Sequence, residues 1–441
     1  MNYVPSVESQ GNGELPHENR SAVPTPELPF PKQPVGLEEL DVDFSVVSDL
    51  ALRLACTVRF FTTQWAADQL KLQLQTVEKI FWQHKEDHLI EVMGQESPFN
   101  YKYALTKRGR EHAKYLYEAC GYIGAAPVSL ETYTDMMSQQ VKHLPQVRLD
   151  DIKESLKSLV LPRETVEIAA LAAASGRSLF LFGPAGNGKT SLGRLLHEAQ
   201  SAEVWVPYAI SVGQGIVRVF DPQVHKRSTE ESSPKGCDRR WVRVQRPMIV
   251  AGGEMKLEEL DLTFNEAQRV HEAPLQLKAN GGTFLIDDFG RQQCQPEDIL
   301  NRWIVPLENR VDYLNMVTGQ KFMVPFEVML VVATNLQVSE VADPAFLRRM
   351  GYRIHLQTPD ESTYRDIFKR LSVQNGISIS ESTLDSILGR YRSEKRELRG
   401  SEPRDLIQRC FDICNLREIP LEINSNVLDL AWQAYFGNDA S

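Results

Sequence analysis

Apolar positions fall into blocks of different period along the chain. Val46 to Phe60 repeats at helical spacing, and Thr76 to His84 turns Val77, Ile80 and Phe81 to one side. Between them Thr62-Thr63-Gln64-Trp65-Ala66-Ala67 opens a helix, with both threonines as N-cap candidates. Leu89-Ile90-Glu91-Val92 and Tyr101 to Leu105, separated by a turn near Gly94, read as a hairpin, and Thr106 to Tyr117 as a further helix. Thr165 to Ala174 is an alanine-rich helix that ends at Gly176. Beyond it come short apolar runs without alternation, the mark of buried parallel strands: Ser178 to Phe182, Phe284 to Ile286, Val328 to Val332 and Tyr352 to Leu356. Val204 to Ile210 is expected to be the strand that follows the first of these. Leu192, Leu195, Leu196 and Ala199 share one helix face, and Val311 to Leu314 with Lys321 to Val324 flank Thr318-Gly319 as a hairpin. From residue 358 onward four helices are expected: Tyr364 to Val373, Glu381 to Tyr391, Pro403 to Leu416 and Asn426 to Tyr435.

These blocks divide the chain of 441 residues. Residues 1–40 are polar and proline-rich and are expected to be a mobile arm. Residues 41–125 form a small helical unit with a hairpin, 126–150 a linker with some helix, 151–357 the strand-rich core and 358–441 the helical end. His225 to Arg240 is polar throughout and reads as a solvated insertion. No apolar run approaches the ~18 residues of a membrane helix, and the amino-terminal stretch has no apolar signal core, so a cytoplasmic protein with no membrane partner is expected. Six scattered cysteines suit reduced thiols. Cys410 and Cys414 lie one helical turn apart with no further pair to complete a zinc site. The net charge of −10 argues against sequence-independent nucleic-acid binding, while leaving room for a local basic face.

The chemistry concentrates at Gly183-Pro184-Ala185-Gly186-Asn187-Gly188-Lys189-Thr190-Ser191, a P-loop between the Ser178–Phe182 strand and a helix. Strand, glycine loop and helix N-terminus make a phosphate cradle from backbone N–H groups and the helix dipole. Lys189 is placed to reach the β- and γ-phosphates of ATP, and the Thr190 hydroxyl to ligate Mg²⁺. The strand Phe284-Leu285-Ile286 ends in Asp287 and Asp288, at the strand end where ligands bind in an open α/β sheet. Asp287 is expected to hold Mg²⁺, mostly through water, and Asp288 to orient or deprotonate the attacking water.

The set resembles the AAA+ ATPases from about Leu161 to Leu406. It carries Walker A (Gly183 to Thr190), Walker B (Phe284 to Asp288), Asn335 at sensor 1, Arg348 and Arg349 as the finger pair in Asp343-Pro344-Ala345-Phe346-Leu347-Arg348-Arg349, and Arg404 at sensor 2 in Glu402-Pro403-Arg404-Asp405-Leu406. Asp288 departs from the glutamate usual in the family. The resemblance implies an α/β fold: a P-loop AAA+ parallel sheet flanked by helices and followed by a helical lid. It also implies a homo-oligomeric ring, usually a hexamer, because the arginine fingers act across subunits. The segment Pro247 to Asn280, with Gly252-Gly253-Glu254, is similar in placement to inserts of MoxR-like (helix-2-insert type) bacterial AAA+ proteins. Residues 42–120 resemble a winged helix-turn-helix domain preceding the core. Two partners stay open for it: duplex DNA, through Lys79, Gln83, His84 and Lys85 with a wing of Lys102, Lys107, Arg108 and Arg110, or a protein substrate or adaptor, which the acidic Glu78, Glu86 and Asp87 favour.

Overall fold

The structure, a computed structural model, describes residues 28–228, 234–338, 344–377 and 379–437. Most of the expected arm (residues 1–27), part of the expected insertion (229–233) and Asp343 lie outside the described residues.

The amino-terminal unit runs α1 (Phe44–Ala55), β1 (Phe61–Thr62), α2 (Thr63–Leu70), α3 (Leu74–Glu86), β2 (Ile90–Ser97), β3 (Asn100–Leu105) and α4 (Lys107–Ala119). Its three strands pair antiparallel in the order β1-β3-β2. Of the two threonines, Thr62 is the cap: its hydroxyl accepts from Trp65 N–H at 3.1 Å, while Thr63 is buried and accepts from Tyr101 N–H at 3.2 Å. Phe61, Phe81 and Tyr103 meet edge to face and stacked at the centre of this unit.

Next come β4 (Val128–Ser129), α5 (Leu130–His143) and α6 (Leu149–Ser155). Where a linker was expected, this stretch is structural. Ser129 caps α5 and β4 pairs with a strand of the core, while Tyr133, Met136 and Met137 are buried. Gln140, also buried, exchanges two hydrogen bonds with the backbone of Trp205, at 2.8 and 3.0 Å, and so acts as a strand partner.

The core opens with α7 (Arg163–Ser175), β5 (Leu179–Phe182) and α8 (Lys189–Glu198). It then leaves the central sheet for β6 (Glu203–Pro207), β7 (Ala209–Val212), β8 (Gly215–Arg218) and β9 (Trp241–Gln245), and returns at β10 (Met248–Ala251). This corrects the expected strand Val204 to Ile210. That run is two strands in two different sheets, because Pro207 ends the first, whose partner is β9, while β7 pairs with β8. The second strand of the central sheet is β10, only four residues long. A further excursion, β11 (Thr263–Asn265), β12 (Val270–Glu272) and α9 (Leu275–Lys278), precedes β13 (Thr283–Ile286). Then follow α10 (Pro296–Asn309), the hairpin β14 (Val311–Asn315) and β15 (Lys321–Pro325), β16 (Met329–Thr334), α11 (Pro344–Arg349) and β17 (Tyr352–His355).

The central sheet is all parallel, in the order β10-β13-β16-β5-β17. Period-two alternation sends Leu179, Leu181, Leu285, Val331 and Ala333 to the face covered by α7 and α8, and Phe180, Phe284, Ile286, Leu330 and Val332 to the face covered by α10. Both faces are buried, hence the continuous apolar runs. Among the described residues four helices follow: α12 (Glu361–Gln374), α13 (Glu381–Ser393), α14 (Glu402–Leu416) and α15 (Ser425–Phe436), with a core of their own. The fold is therefore α/β, a parallel sheet between helices with a helical cap after it and a small α+β unit before it. No helix among the described residues is long and apolar enough to cross a membrane.

The strands that leave the central sheet also correct two expectations of mobility. Residues 28–40, expected in the arm, lie against the turn before β9: Gln33 N–H donates to Gly236 O and Asp238 N–H to Pro31 O, both at 2.8 Å, and Phe30 packs on the cluster that holds Trp241 and Met136. The expected solvated insertion contains Arg240, 2% exposed, which pairs at 2.8 Å with both Asp238 and Asp41. A guanidinium buried this deeply holds segments distant in sequence to one another, which a solvated loop does not do.

Candidate functional site

The parallel register sets the carboxyl ends of β5, β13 and β16 side by side, and the loops that follow them meet there. After β5, Gly183 has φ +132°, and a Cβ on it would lie 2.2 Å from Leu356 O. Only glycine lets the chain turn this close to the end of the neighbouring strand. Gly188, at φ +83°, is the left-handed residue from which α8 starts. The loop wraps the Lys189 side chain, which is buried and donates to Gly183 O and Pro184 O, both at 2.8 Å. Two of its three donors are thus used to shape the loop. Burial pulls the ammonium below the ordinary lysine range, and the carboxylates of Asp288 and Asp287 work against that pull.

Thr190 shares its hydroxyl between both carboxylate oxygens of Asp287, at 2.8 and 2.9 Å. Asp287 N–H continues the sheet by donating to Ala251 O at 2.8 Å. At Asp288 the backbone turns into the left-handed region, φ +48°, which sends its carboxylate toward β16. There Asn335 Nδ2 donates to Asp288 Oδ1 at 2.5 Å. Gln292 braces the turn, accepting from Gly290 N–H at 2.8 Å and donating to Asp287 O at 3.0 Å.

A cavity of about 700 Å³ opens over these residues. Ala185 to Ser191 form its floor with Asp287, Asp288 and Asn335. Ser158 to Leu161, ahead of α7, form one wall, and α12 with Gly400, Ser401 and Arg404 form the roof. Arg404 is exposed and lies 3.4 Å from Asp405. Arg348 and Arg349 are apart from this cavity, at the end of α11. Arg348 is exposed, and Arg349 Nε lies 3.2 Å from Glu308 Oε2.

Sequence reasoning passed over several lining residues. Arg370 of α12 and the wall Ser158 to Leu161 carry no local motif. Gly400-Ser401 sits directly before the Arg404 turn, and that proximity was the one available signal. The donor set fits a magnesium nucleotide. A buried ammonium and the N-terminus of a helix suit phosphates, and the Thr190 hydroxyl with the Asp287 carboxylate offers the hard oxygens that Mg²⁺ takes. The buried Asn187 Nδ2, without a hydrogen-bond partner among the described residues, adds an unused donor in the same loop. Among the described residues no cluster of His, Cys, Asp and Glu offers a separate metal site.

A family model for a domain of unknown function, DUF8689, matches residues 360–434, the four-helix end of the chain. No curated protein matches. Among solved structures, the chain is similar to RuvB of Thermotoga maritima. One point variant of it is 14% identical over 70% of this chain and 73% of that one, with a TM-score of 0.36. A second variant is 15% identical over 66% and 72%, with a TM-score of 0.37. The structure titled the RuvB Holliday junction branch migration motor is 15% identical over the same shares, with a TM-score of 0.36.

Proposed function

We propose that this chain is an AAA+ ATPase that binds ATP with Mg²⁺ between the sheet and the helical lid, hydrolyses it in a ring of identical subunits, and uses the movement to remodel a protein partner in the cytoplasm. One observation carries the reading: the P-loop, the Asp287–Asp288 pair, Asn335 and Arg404, spread over more than 200 residues of sequence, border one cavity. In this reading the backbone of Gly183 to Gly188 cradles phosphate, and Lys189 and Arg404 meet its charge from below and above. Thr190 and Asp287 hold Mg²⁺, which supplies charge neutralisation at the phosphates. Asp288 orients the attacking water or takes its proton, and Asn335 keeps the Asp288 carboxylate turned to that place. Arg348 and Arg349, outside their own cavity, serve the site of the next subunit, most simply in a hexamer. The finer placement near MoxR-like members rests on the segment between β10 and β13.

A second reading is a DNA-linked ATPase that uses the amino-terminal unit as a winged helix. It is favoured by Phe60, an exposed ring with Arg59 at 5.1 Å and Lys102 at 5.2 Å from its centroid. The two cations suit the phosphate backbone of a duplex.

The test is the steady-state ATPase rate at low salt, with and without duplex DNA, with Lys189→Ala as the blank. Turnover above the blank and indifferent to DNA supports the remodelling reading. Stimulation by DNA that fades as salt rises supports the second. A wild-type protein that neither binds nor hydrolyses ATP removes both.

A further inference from the structure

Hydrogen bonds tie the lid to the core on each side of the cavity. On one side Arg370 of α12 donates to the carbonyls of Lys157 and Leu159, at 3.2 and 3.1 Å. On the other, Gly400 N–H donates to the side-chain oxygen of Asn187 in the P-loop at 3.2 Å. The second contact is close-fitting. A Cβ on Gly186 would lie 2.7 Å from Ser401 Oγ, and one on Gly400 would lie 3.4 Å from Gly186 O. The lid backbone therefore rests on the P-loop itself, beside the place Arg404 occupies.

What fixes the Arg399–Ser401 loop lies inside the lid. Glu402, the first residue of α14, is only 4% exposed. Its Oε2 accepts from Tyr391 hydroxyl at 2.7 Å and from Arg399 N–H at 3.2 Å. The Tyr391 hydroxyl lies 2.9 Å from that of Tyr364, and both tyrosines are buried in the lid core. A carboxylate is costly to bury, and an apolar side chain would fill the same space. This one grips the backbone N–H of Arg399, the residue before the glycine that meets Asn187.

We infer that Glu402 is a positioning residue that holds the Arg399–Ser401 loop as a latch against the P-loop, with Asn187 as the receiving contact, so that nucleotide leaves only when this latch parts. The inference rests on the nucleotide-binding reading above. It assigns to Glu402 and Asn187 a role separate from that of Arg404, because the latch joins protein to protein and needs no contact between Glu402 and the ligand.

The test is stopped-flow release of a fluorescent ATP analogue from the full chain. Asn187→Ala and Glu402→Ala should each speed release about fivefold, the worth of one net hydrogen bond. The double variant should be no faster than the faster single one, because both break the same contact. Glu402→Gln keeps an oxygen acceptor for Tyr391 and Arg399 and should stay within about twofold of wild type. Wild-type release from both single variants, additive effects in the double, or a Glu402→Gln rate equal to that of Glu402→Ala would each overturn the latch. If Glu402→Ala does not melt as a folded protein, Tyr391→Phe takes its place in the cycle with the same expectations. A wild-type chain that does not bind the analogue ends the nucleotide reading and the latch together, whereas tight wild-type binding with unchanged variants ends the latch alone.

Discussion

Asn335 donates its side-chain amide to the carboxylate of Asp288 at 2.5 Å, across the carboxyl ends of two neighbouring parallel strands. Both residues border the cavity. The bond also holds a short carboxylate in a backbone conformation that non-glycine residues seldom adopt, φ +48°. If Asp288 handles the water and Asn335 orients it, Asp288→Asn and Asn335→Ala should each lower kcat roughly 100-fold, the usual scale for a general base. ATP affinity should change little, since neither residue cradles phosphate in this reading. The double variant should resemble the worse single one. Turnover by Asp288→Asn at the wild-type rate, measured beside ATP binding, would show that the assignment is wrong.

Lys189 is buried, and its pKa is pulled below the ordinary lysine range by desolvation. For a base with a folded pKa below its unfolded one, keeping the charge costs stability at every pH below the folded value. The penalty fades as pH rises toward the unfolded value of about 10.4. Lys189→Met should therefore raise the melting temperature of the nucleotide-free protein at neutral pH while abolishing the rise that ATP and Mg²⁺ produce in wild type. Thermal melts with and without ATP measure both. A variant that ATP still stabilises would remove Lys189 from the phosphate site.

His84, expected to face outward with Lys79, Gln83 and Lys85, is instead buried in α3 and lies 2.7 Å from Ser48 Oγ through Nε2. Desolvation lowers its pKa to about 4, with Asp87 opposing and His112 adding to the shift. The folded pKa lies below the unfolded one, so the neutral ring stabilises the fold above pH 6.5, and that stability is lost as pH falls from about 6.5 to about 4. Melts of wild type and His84→Gln over this range should show a shallower loss in the variant. His197, lowered to about 4 by its own burial, contributes equally to both and cancels in the difference. Parallel curves would mean that His84 titrates normally.

The set Asp41–Arg240–Asp238, with Arg240 and Asp238 buried, joins residues 28–41, the turn before β9 and, through Pro127 O at 3.0 Å, the residue that leads into β4. Removing the cation leaves the buried Asp238 and the part-buried Asp41 without their charge partner. Arg240→Ala should cost roughly 3–5 kcal/mol, the scale for breaking a buried ion pair from one side. The segment before Asp41 should also become open to proteolysis. Chemical denaturation and limited digestion followed by mass spectrometry check the two effects. Wild-type stability would show that the ion pair is solvated in solution.

How much of this was legible depends on whether the signal was local. The P-loop could be read because strand, glycines and helix are contiguous, and Asp287–Asp288 because three apolar residues lead straight into them. The strand β10 could not, since the longer β-branched run at Val204 to Ile210 outcompetes Met248 to Ala251 by propensity. Pro207 was the clue to that error, as a proline cannot donate within a ladder. Phe30 and Arg240 look like tail and loop residues because Trp241 and Met136 for the one, and Asp41 and Pro127 for the other, are far away in sequence. Arg370 reads as any arginine on an exposed helix face, and only the folded lid brings it to the cavity wall.

Arg348 and Arg349 stand outside the cavity of their own chain, which suits arginines that complete a neighbour's site. Mixing experiments separate this from a role within the chain. Subunits carrying Arg348→Ala with Arg349→Ala should be inactive alone, as should subunits carrying Asp288→Asn. Co-assembled in equal amounts at random, about one interface in four pairs an intact Asp288 with an intact finger pair, so about a quarter of wild-type turnover should return. The measurement is the ATPase rate against mixing ratio, with size-exclusion chromatography confirming that mixed assemblies form. Recovery marks the arginines as acting between subunits. Mixed assemblies that form and remain inactive would place any role of Arg348 and Arg349 within one chain, and Arg349 would then be a surface partner of Glu308.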